Sequence, residues 1–457
     1  MVLLPLLVAV VSLAACDTPA TRDFADGQIY ASKPDRLVVV SHWEDKPGNK
    51  LGASPRLALV GDYGGGKDDM ALFYEDPLKL VQVGRYDRQG KLAWPAAPVP
   101  LAGQIDDDEI GAGDVDGDGL TDLVVGNSTQ RTLTVYLSRK GAGGAALVKT
   151  DTAHVYGCVK IASLVRMGSF IGLADVDADG KDDLIFRCSA PESIEVQLAG
   201  GKVVRSEVTF PASGSVSRWA VADLDGDKKR DMAVSSYLGS RVAVYFGDGA
   251  GAFSAGVTRS LPGEIVSLSA AGVFDSDGGA AHLLYDAREV LEKKQGSVVV
   301  GRQRYGVMAL APASRALREV GPLESTNLVP LLPATPARAQ SSHETGRIYG
   351  SVFQVAGDLT GDGVDDVVQL GYDADFGYTG PWFIRVLVGG PGGLRYASNT
   401  RVESSFGRPR RCEVDPDSEA CRTFTIIPVV GRFLGNGKEQ LLVLDQLYRG
   451  WWMYEFR

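Results

Sequence analysis

The chain has 457 residues, enough for one large β-domain or two ordinary ones. Hydrophobic residues at 44% and aromatics at 8% suit a globular core. A formal net charge of −10 argues against a general nucleic-acid surface, which needs a basic face.

Residues 1–16 form an uncharged apolar run of signal-peptide length, too short for a comfortable membrane span. The run ends in Leu13-Ala14-Ala15-Cys16, which resembles a bacterial lipobox. That resemblance implies a lipid on Cys16 and a mature chain beginning there. Residues 17–29 read as a short polar tether, and residues 30–457 as one domain.

Within that domain a nine-residue frame recurs, and each copy runs into a short apolar segment. The first copy, Gly61-Asp62 to Asp69, is one residue short and poor in acids. Four copies are close to Asp-x-Asp-x-Asp-Gly-x-x-Asp. They are Asp114, Asp116, Asp118 and Asp122; Asp175, Asp177, Asp179 and Asp183; Asp223, Asp225, Asp227 and Asp231; and Asp358, Thr360, Asp362 and Asp366. Between the third and fourth of these, a degenerate copy keeps only Asp275, Asp277 and Gly278; a last one, from Arg432 to Gly437, has lost nearly all its acids. The seven starts, at 62, 114, 175, 223, 273, 358 and 432, are spaced by 52, 61, 48, 50, 85 and 74 residues. A strand-loop-strand unit repeating near 50 residues is the signature of a propeller, whose closed ring leaves few free sheet edges. The expected fold is therefore an all-β, seven-bladed β-propeller with calcium-binding loops.

Four carboxylates within nine residues repel one another unless a cation sits among them. Calcium takes six to eight oxygen ligands in flexible geometry. Positions 1, 3, 5 and 9 offer side-chain oxygens, and position 7 (Leu120, Lys181, Lys229 and Val364) can add its carbonyl. Gly119, Gly180 and Gly363 hold position 6, where a sharp turn favours positive φ. Lys228 stands there in the third acidic loop, at a backbone cost of about 1 kcal/mol. Thr360 replaces one charged ligand in the fourth, so that site should be weaker. An EF-hand is excluded, because position 12 is Val125, Phe186, Val234 or Gln369 rather than Glu and the flanks are β-formers. The ligand positions of the four loops hold 15 carboxylates, and four calcium ions would bring the formal charge near −2.

A further strand follows each loop at Thr132–Leu137, Arg241–Phe246 and Phe383–Val388, the last two ending in glycine-rich hairpin turns. No helix longer than about two turns is expected. The connections 127–131, 189–193, 235–241 and 371–383 should lie on the face opposite the acidic loops. The last of them carries Tyr372, Asp373, Asp375, Tyr378 and Trp382, a mixture of flat rings and polar groups that suits a sugar or protein ligand or else packs the loop on its neighbour. An insertion at 286–350 contains a charged run and a proline-rich stretch. The C-terminal segment alternates, with Trp452, Tyr454 and Phe456 on one face, and reads as a core strand of the last blade.

Cys16 apart, four cysteines remain, an even number in an exported chain. Three pairings are possible. The local one, expected here, joins Cys412 to Cys421 across a polar insertion and Cys158 to Cys188 around the 175–183 loop.

The units Gly113-Asp-Val-Asp-Gly-Asp-Gly-Leu-Thr-Asp-Leu-Val-Val-Gly126 and Phe353-Gln-Val-Ala-Gly-Asp358 resemble FG-GAP, or VCBS-type, repeats. Such repeats build the seven-bladed propeller of integrin α subunits and many bacterial surface proteins. The resemblance implies a loop between the first and second strands of each blade, with calcium bound on one face of the disc. The family's Gly-Ala-Pro after the second strand has drifted to Gly126-Asn-Ser, Arg187-Cys-Ser or Ser235-Ser-Tyr. No ligand is implied.

The histidines are scattered, and neither a zinc-protease helix motif, a nucleophile elbow nor a phosphate loop is present. The first functional expectation is a non-catalytic binding or adhesion scaffold, lipid-anchored in the bacterial envelope on its periplasmic or surface side, with a protein or carbohydrate partner. The second is a lectin, or a carbohydrate-active enzyme of the polysaccharide lyase type, on a calcium propeller.

Overall fold

The computed structural model describes residues 21–23, 37–44, 55, 57–74, 78–101, 110–127, 132–141, 144–155, 168–189, 192–208, 210, 216–236, 239–261, 264–272, 279–294, 297–311, 314–320, 353–372, 382–390, 394–402, 426–445 and 450–457. Among them there are thirty strands and no helix.

The strands form seven antiparallel sheets. Near the N-terminus lie β1 (Thr21–Asp23) and β2 (Leu37–Glu44). Blade one comprises β3 (Leu57–Gly61), β4 (Asp69–Tyr74), β5 (Leu80–Tyr86) and β6 (Leu92–Ala93), with β7 (Val99–Pro100) also on β5. Blade two runs through β8 (Ile110–Gly113), β9 (Asp122–Asn127), β10 (Thr132–Gly141) and β11 (Gly144–Val155). Blade three holds β12 (Gly168–Ala174), β13 (Asp183–Ser189), β14 (Glu192–Gln197) and β15 (Val203–Glu207). Blade four holds β16 (Val216–Ala222), β17 (Asp231–Ser236), β18 (Arg241–Gly247) and β19 (Phe253–Ser260). Blade five holds β20 (Glu264–Ala271), β21 (His282–Lys294), β22 (Ser297–Leu310) and β23 (Leu317–Val320). Blade six holds β24 (Phe353–Gly357), β25 (Asp366–Tyr372), β26 (Trp382–Val388) and β27 (Arg395–Val402). Blade seven takes β28 (Ile426–Gly431), β29 (Gln440–Asp445) and β30 (Gly450–Phe456) from the C-terminal end.

The fourth strand of blade seven is β2, which pairs antiparallel with β30 from Leu37↔Phe456 to Glu44↔Gly450. One blade is thus assembled from both ends of the sequence. β1, inside the segment read as a tether, adds a fifth strand to blade six by pairing with β27. The charged run expected within an insertion lies in β21, half of a long hairpin with β22.

Hydrophobic clusters sit between neighbouring blades rather than within them. Leu123, Val125 and Tyr136 of blade two pack with Phe73, Val81 and Val83 of blade one. Phe170, Leu184 and Phe186 of blade three meet Val124, Leu133 and Val135. Because each second strand lies between two neighbours, both of its faces are covered: β4 and β9 are buried at every residue. This explains why the segments after the loops are continuously apolar rather than alternating. Close approach is also used: Gly172 in β12 faces Trp219 of β16, and a Cβ there would lie 1.9 Å from the indole ring. At the closing seam, Trp452, Tyr454 and Phe456 join the cluster shared with blade six, while Met453 on the opposite face joins that of blade one.

Candidate metal centres

Six of the seven recurrent frames lie, among the described residues, where strand one turns into strand two, and so at one end of the ring. The four acidic loops share a conformation. Position 6 is left-handed in each: φ is 79° at Gly119, 86° at Gly180, 84° at Gly363 and 69° at Lys228. The lysine therefore adopts the strained geometry rather than escaping it. Position 4 is left-handed too, at Gly117, Gly226 and Gly361 and at Ala178 with φ 59°.

The ligand positions of each loop divide the work. The position 1 carboxylate is wrapped in backbone amides: Asp114 accepts from Gly117 (2.8 Å), Asp118 (3.1 Å) and Gly119 (2.8 Å), and Asp358 accepts from Gly361, Asp362 and Gly363. Asp175 and Asp223 do the same with fewer amides. The position 5 carboxylate turns back onto the position 7 amide, as in Asp118 with Leu120 (3.0 Å), Asp179 with Lys181, Asp227 with Lys229 and Asp362 with Val364 (2.9 Å each).

Position 9 is buried and serves as a staple. Asp122 accepts the Val115 amide (3.0 Å) with one oxygen and the Ser138 amide (2.7 Å), in the third strand, with the other. Asp183 holds Val176 and Ala199, Asp231 holds Leu224 and Gly247, and Asp366 holds Thr360 and Gly389. Burial is the largest influence on all four and pushes each carboxyl up to about 6, against the pull of its amide donors.

Positions 1, 3 and 9 converge. One oxygen from each of Asp114, Asp116 and Asp122 lies within 4.8 Å of the others, and the same holds for Asp175, Asp177 and Asp183 and for Asp223, Asp225 and Asp231. The position 3 oxygens Asp177 Oδ1 and Thr360 Oγ1 are buried without a hydrogen-bond partner. A polar atom left so is costly unless something else meets it. An all-oxygen donor set with such an atom fits a hard cation such as calcium, held by positions 1, 3 and 9.

The degenerate loops keep the frame and supply charge or amides from the protein. In blade one Asp69 stands at position 9, fully buried, and takes a bidentate Arg85 at 2.8 and 2.7 Å. Lys67 donates to the Tyr86 and Phe433 carbonyls. In blade seven Gln440 stands in place of the acid; its carbonyl accepts the Leu434 amide, while its Nε2 donates to Asn436 and to the Lys438 carbonyl.

Position 8 carries a role the sequence did not reveal, namely joining neighbouring loops to one another. Its amide donates to the position 1 carbonyl of the preceding blade: Thr121 to Asp62 (2.7 Å), Asp182 to Asp114 (2.7 Å) and Glu439 to Asp358 (3.0 Å). In blade five the Ala281 amide reaches Asp223 in the same way (2.7 Å). Where position 8 is acidic it also accepts the position 1 amide, as Asp182 does from Asp114 and Glu439 from Asp358 (2.8 Å each). Asp68 accepts from Arg432 at 2.6 Å and so joins blades one and seven. Burial raises the carboxyl pKa of Asp182, Asp365 and Glu439. The sequence signal was an acid directly before the position 9 acid, in Asp182-Asp183 and Asp365-Asp366.

Tyr372 and Trp382 end and begin strands of blade six and pair with each other across the sheet. Asp373, Asp375 and Tyr378 lie outside the described residues, as do Asp275, Asp277, Cys16, Cys158, Cys412 and Cys421. Cys188 is buried in β13.

Residues 114–186, from the blade-two loop into β13, match the FG-GAP-like repeat family. The molecule is a seven-bladed β-propeller carrying FG-GAP-like repeats. No curated protein matches the chain. Among solved structures it is similar to virginiamycin B lyase from Staphylococcus aureus (11% identity, 92% of this chain and 99% of that one, TM-score 0.44). It is also similar to a periplasmic gluconolactonase of Pseudomonas aeruginosa (14% identity, 80% and 96%, TM-score 0.43). A third likeness is to the Photorhabdus luminescens Tc holotoxin pore (15% identity, 85% of this chain, TM-score 0.38), of whose chain it spans 17%. At these values the likenesses carry no argument about function.

Proposed function

We propose that this protein is a calcium-stabilised propeller serving as a non-catalytic binding scaffold, anchored in the bacterial envelope through a lipid on Cys16. What carries the metal part is the convergence of positions 1, 3 and 9 on an all-oxygen cluster, with Asp177 Oδ1 and Thr360 Oγ1 buried and unpartnered. In blade three, Asp175, Asp177 and Asp183 would hold the ion. Its charge would relieve the repulsion among them and fix the turn between the first two strands. Stiffening at one end of the ring leaves the opposite connections, including the one flanked by Tyr372 and Trp382, free to vary and to meet a protein or carbohydrate partner. Cys158–Cys188 and Cys412–Cys421 disulfides belong to the same reading of an exported chain.

Thermal melting with and without calcium tests the proposal. Calcium raises the melting temperature and binds with Kd of about 10⁻⁴–10⁻³ M, the range of extracellular modules. Melting that ignores both calcium and chelator sinks the metal reading. Loss of detergent partitioning in Cys16→Ser tests the anchor.

A further inference from the structure

We infer that the chain's own arginines occupy two of the four acidic loops as resident counter-cations, so that calcium enters the 114–122 and 223–231 loops only by displacing them, and the 175–183 and 358–366 loops fill first, the latter ahead of the arginine-held loops even though Thr360 removes one of its charged ligands. This rests on the metal reading above and adds an order of filling to it.

In blade two, Arg139 lies across the loop. Its Nη2 is 2.6 Å from Asp116 Oδ2 and its Nη1 is 2.9 Å from Asp118 Oδ2, so one guanidinium bridges positions 3 and 5. In blade four the cation comes from the next blade. Arg315, between β22 and β23, places Nη2 2.7 Å from Asp225 Oδ2, and that carboxylate side chain is only 4% exposed. The guanidinium rests 4.4 Å over the Phe246 ring, and Arg315 itself is held at a left-handed φ of 50°. Lys229 adds a second cation, 3.3 Å from Asp227.

The other two loops differ. Among the described residues no lysine, arginine or histidine lies at ion-pair distance from Asp175, Asp177, Asp179 or Asp183, nor from Asp358, Asp362 or Asp366. Asp177 Oδ1 and Thr360 Oγ1 in these loops are buried with neither a hydrogen bond nor a cation; Asp225 Oδ2 of blade four also lacks a hydrogen bond but has the Arg315 guanidinium beside it. A guanidinium offers its donors in a planar fork that suits carboxylates, and its charge is permanent. Arg139 hydrogen-bonds oxygens an ion would need, and Arg315 lies as an ion pair against Asp225, so an ion must first displace a charge from either loop. Blade one is the end member of the series: there Arg85 holds Asp69 and the acids of positions 3 and 5 are gone.

Calorimetric titration of the full chain with calcium tests this. The wild type should show two classes of site, and Asp177→Asn should remove one site of the tighter class. Arg139→Gln and Arg315→Gln should each strengthen one weak site by about tenfold or more, equivalent to losing one charge-assisted hydrogen bond. Each should melt lower than wild type in chelator and recover in calcium. If either variant fails to fold, the Arg→Lys variant takes its place; a point charge without the fork should give intermediate affinity. Unchanged affinities in the arginine variants, with calcium still bound by the wild type, overturn the inference and leave the metal reading standing. No calcium bound by any of these proteins overturns both. Binding by the arginine variants but not by the wild type supports the inference.

Discussion

The loops of blades one and three begin from the same frame and meet the same problem by different routes. In blade three the buried Asp183 is surrounded by Asp175, Asp177 and Asp179, and no side-chain cation reaches them among the described residues. In blade one the equivalent Asp69 is held by Arg85 at 2.7 Å, and the neighbouring acids have given way to Gly64, Gly65 and Gly66, whose amides all donate to Asp62. The fixed element is therefore the buried acceptor that ties the loop to the third strand. How its charge is balanced is free to change from blade to blade, and blade seven dispenses with the charge altogether by using Gln440.

The largest effect expected is at that fixed element. Asp183→Ala strands the Val176 and Ala199 amides in a buried place and should cost about 3–4 kcal/mol in chelator as well as in calcium, read by denaturant unfolding. A cost confined to calcium would make position 9 a ligand only. Arg85→Met comes next: it leaves Asp69 uncompensated and should cost about 2–3 kcal/mol, equally with and without calcium. Asp177→Ala sharpens the contrast from the other side. It should lower the melting temperature in calcium by the equivalent of about 1–2 kcal/mol and have no cost in chelator, where it removes only repulsion.

The pH dependence is a subtler test. Asp122, Asp183, Asp231 and Asp366 have folded pKa values of about 6, above the ordinary 3.8. Between these values the folded chain binds more protons than the unfolded one, so the stability they contribute is full below about pH 4 and is lost as the pH rises through 6. In chelator the melting temperature should fall across that window. Calcium, which favours the ionised carboxylates, should flatten or reverse the fall. The smallest effect is a gain: Ala178→Gly relieves a left-handed alanine and should stabilise blade three by about 0.5–1 kcal/mol in either condition.

Much of this was legible in the sequence because it is local. The frame repeats, position 6 announces its backbone with Gly119, Gly180 and Gly363, and the apolar run after each loop marks a strand covered on both faces. Lys228 broke the glycine rule without breaking the conformation, since Asp223 still gathers its amide and Asp231 still staples the turn. What was not legible is non-local. Nothing near Asp69 foretells Arg85, and nothing near Asp225 foretells Arg315, which arrives from another blade. The role of position 8 was not legible either, because the partner of Asp182 lies 68 residues away in Asp114. The strand Leu37–Glu44 reads as an ordinary β-segment, and its destination depends on how many blades precede the end of the chain.

That destination has a temporal consequence. Leu37 and Phe456 are separated by nearly the whole propeller, yet they sit opposite each other in one sheet. Blade seven therefore cannot assemble until both β2 and β30 have been made, and the two strands must search across the six intervening blades, a slow encounter for so distant a pair. Until then the apolar flanks of blades one and six stand exposed. That interval is the propeller's most aggregation-prone, and loss of β2 would leave a gap in the ring rather than a frayed tail.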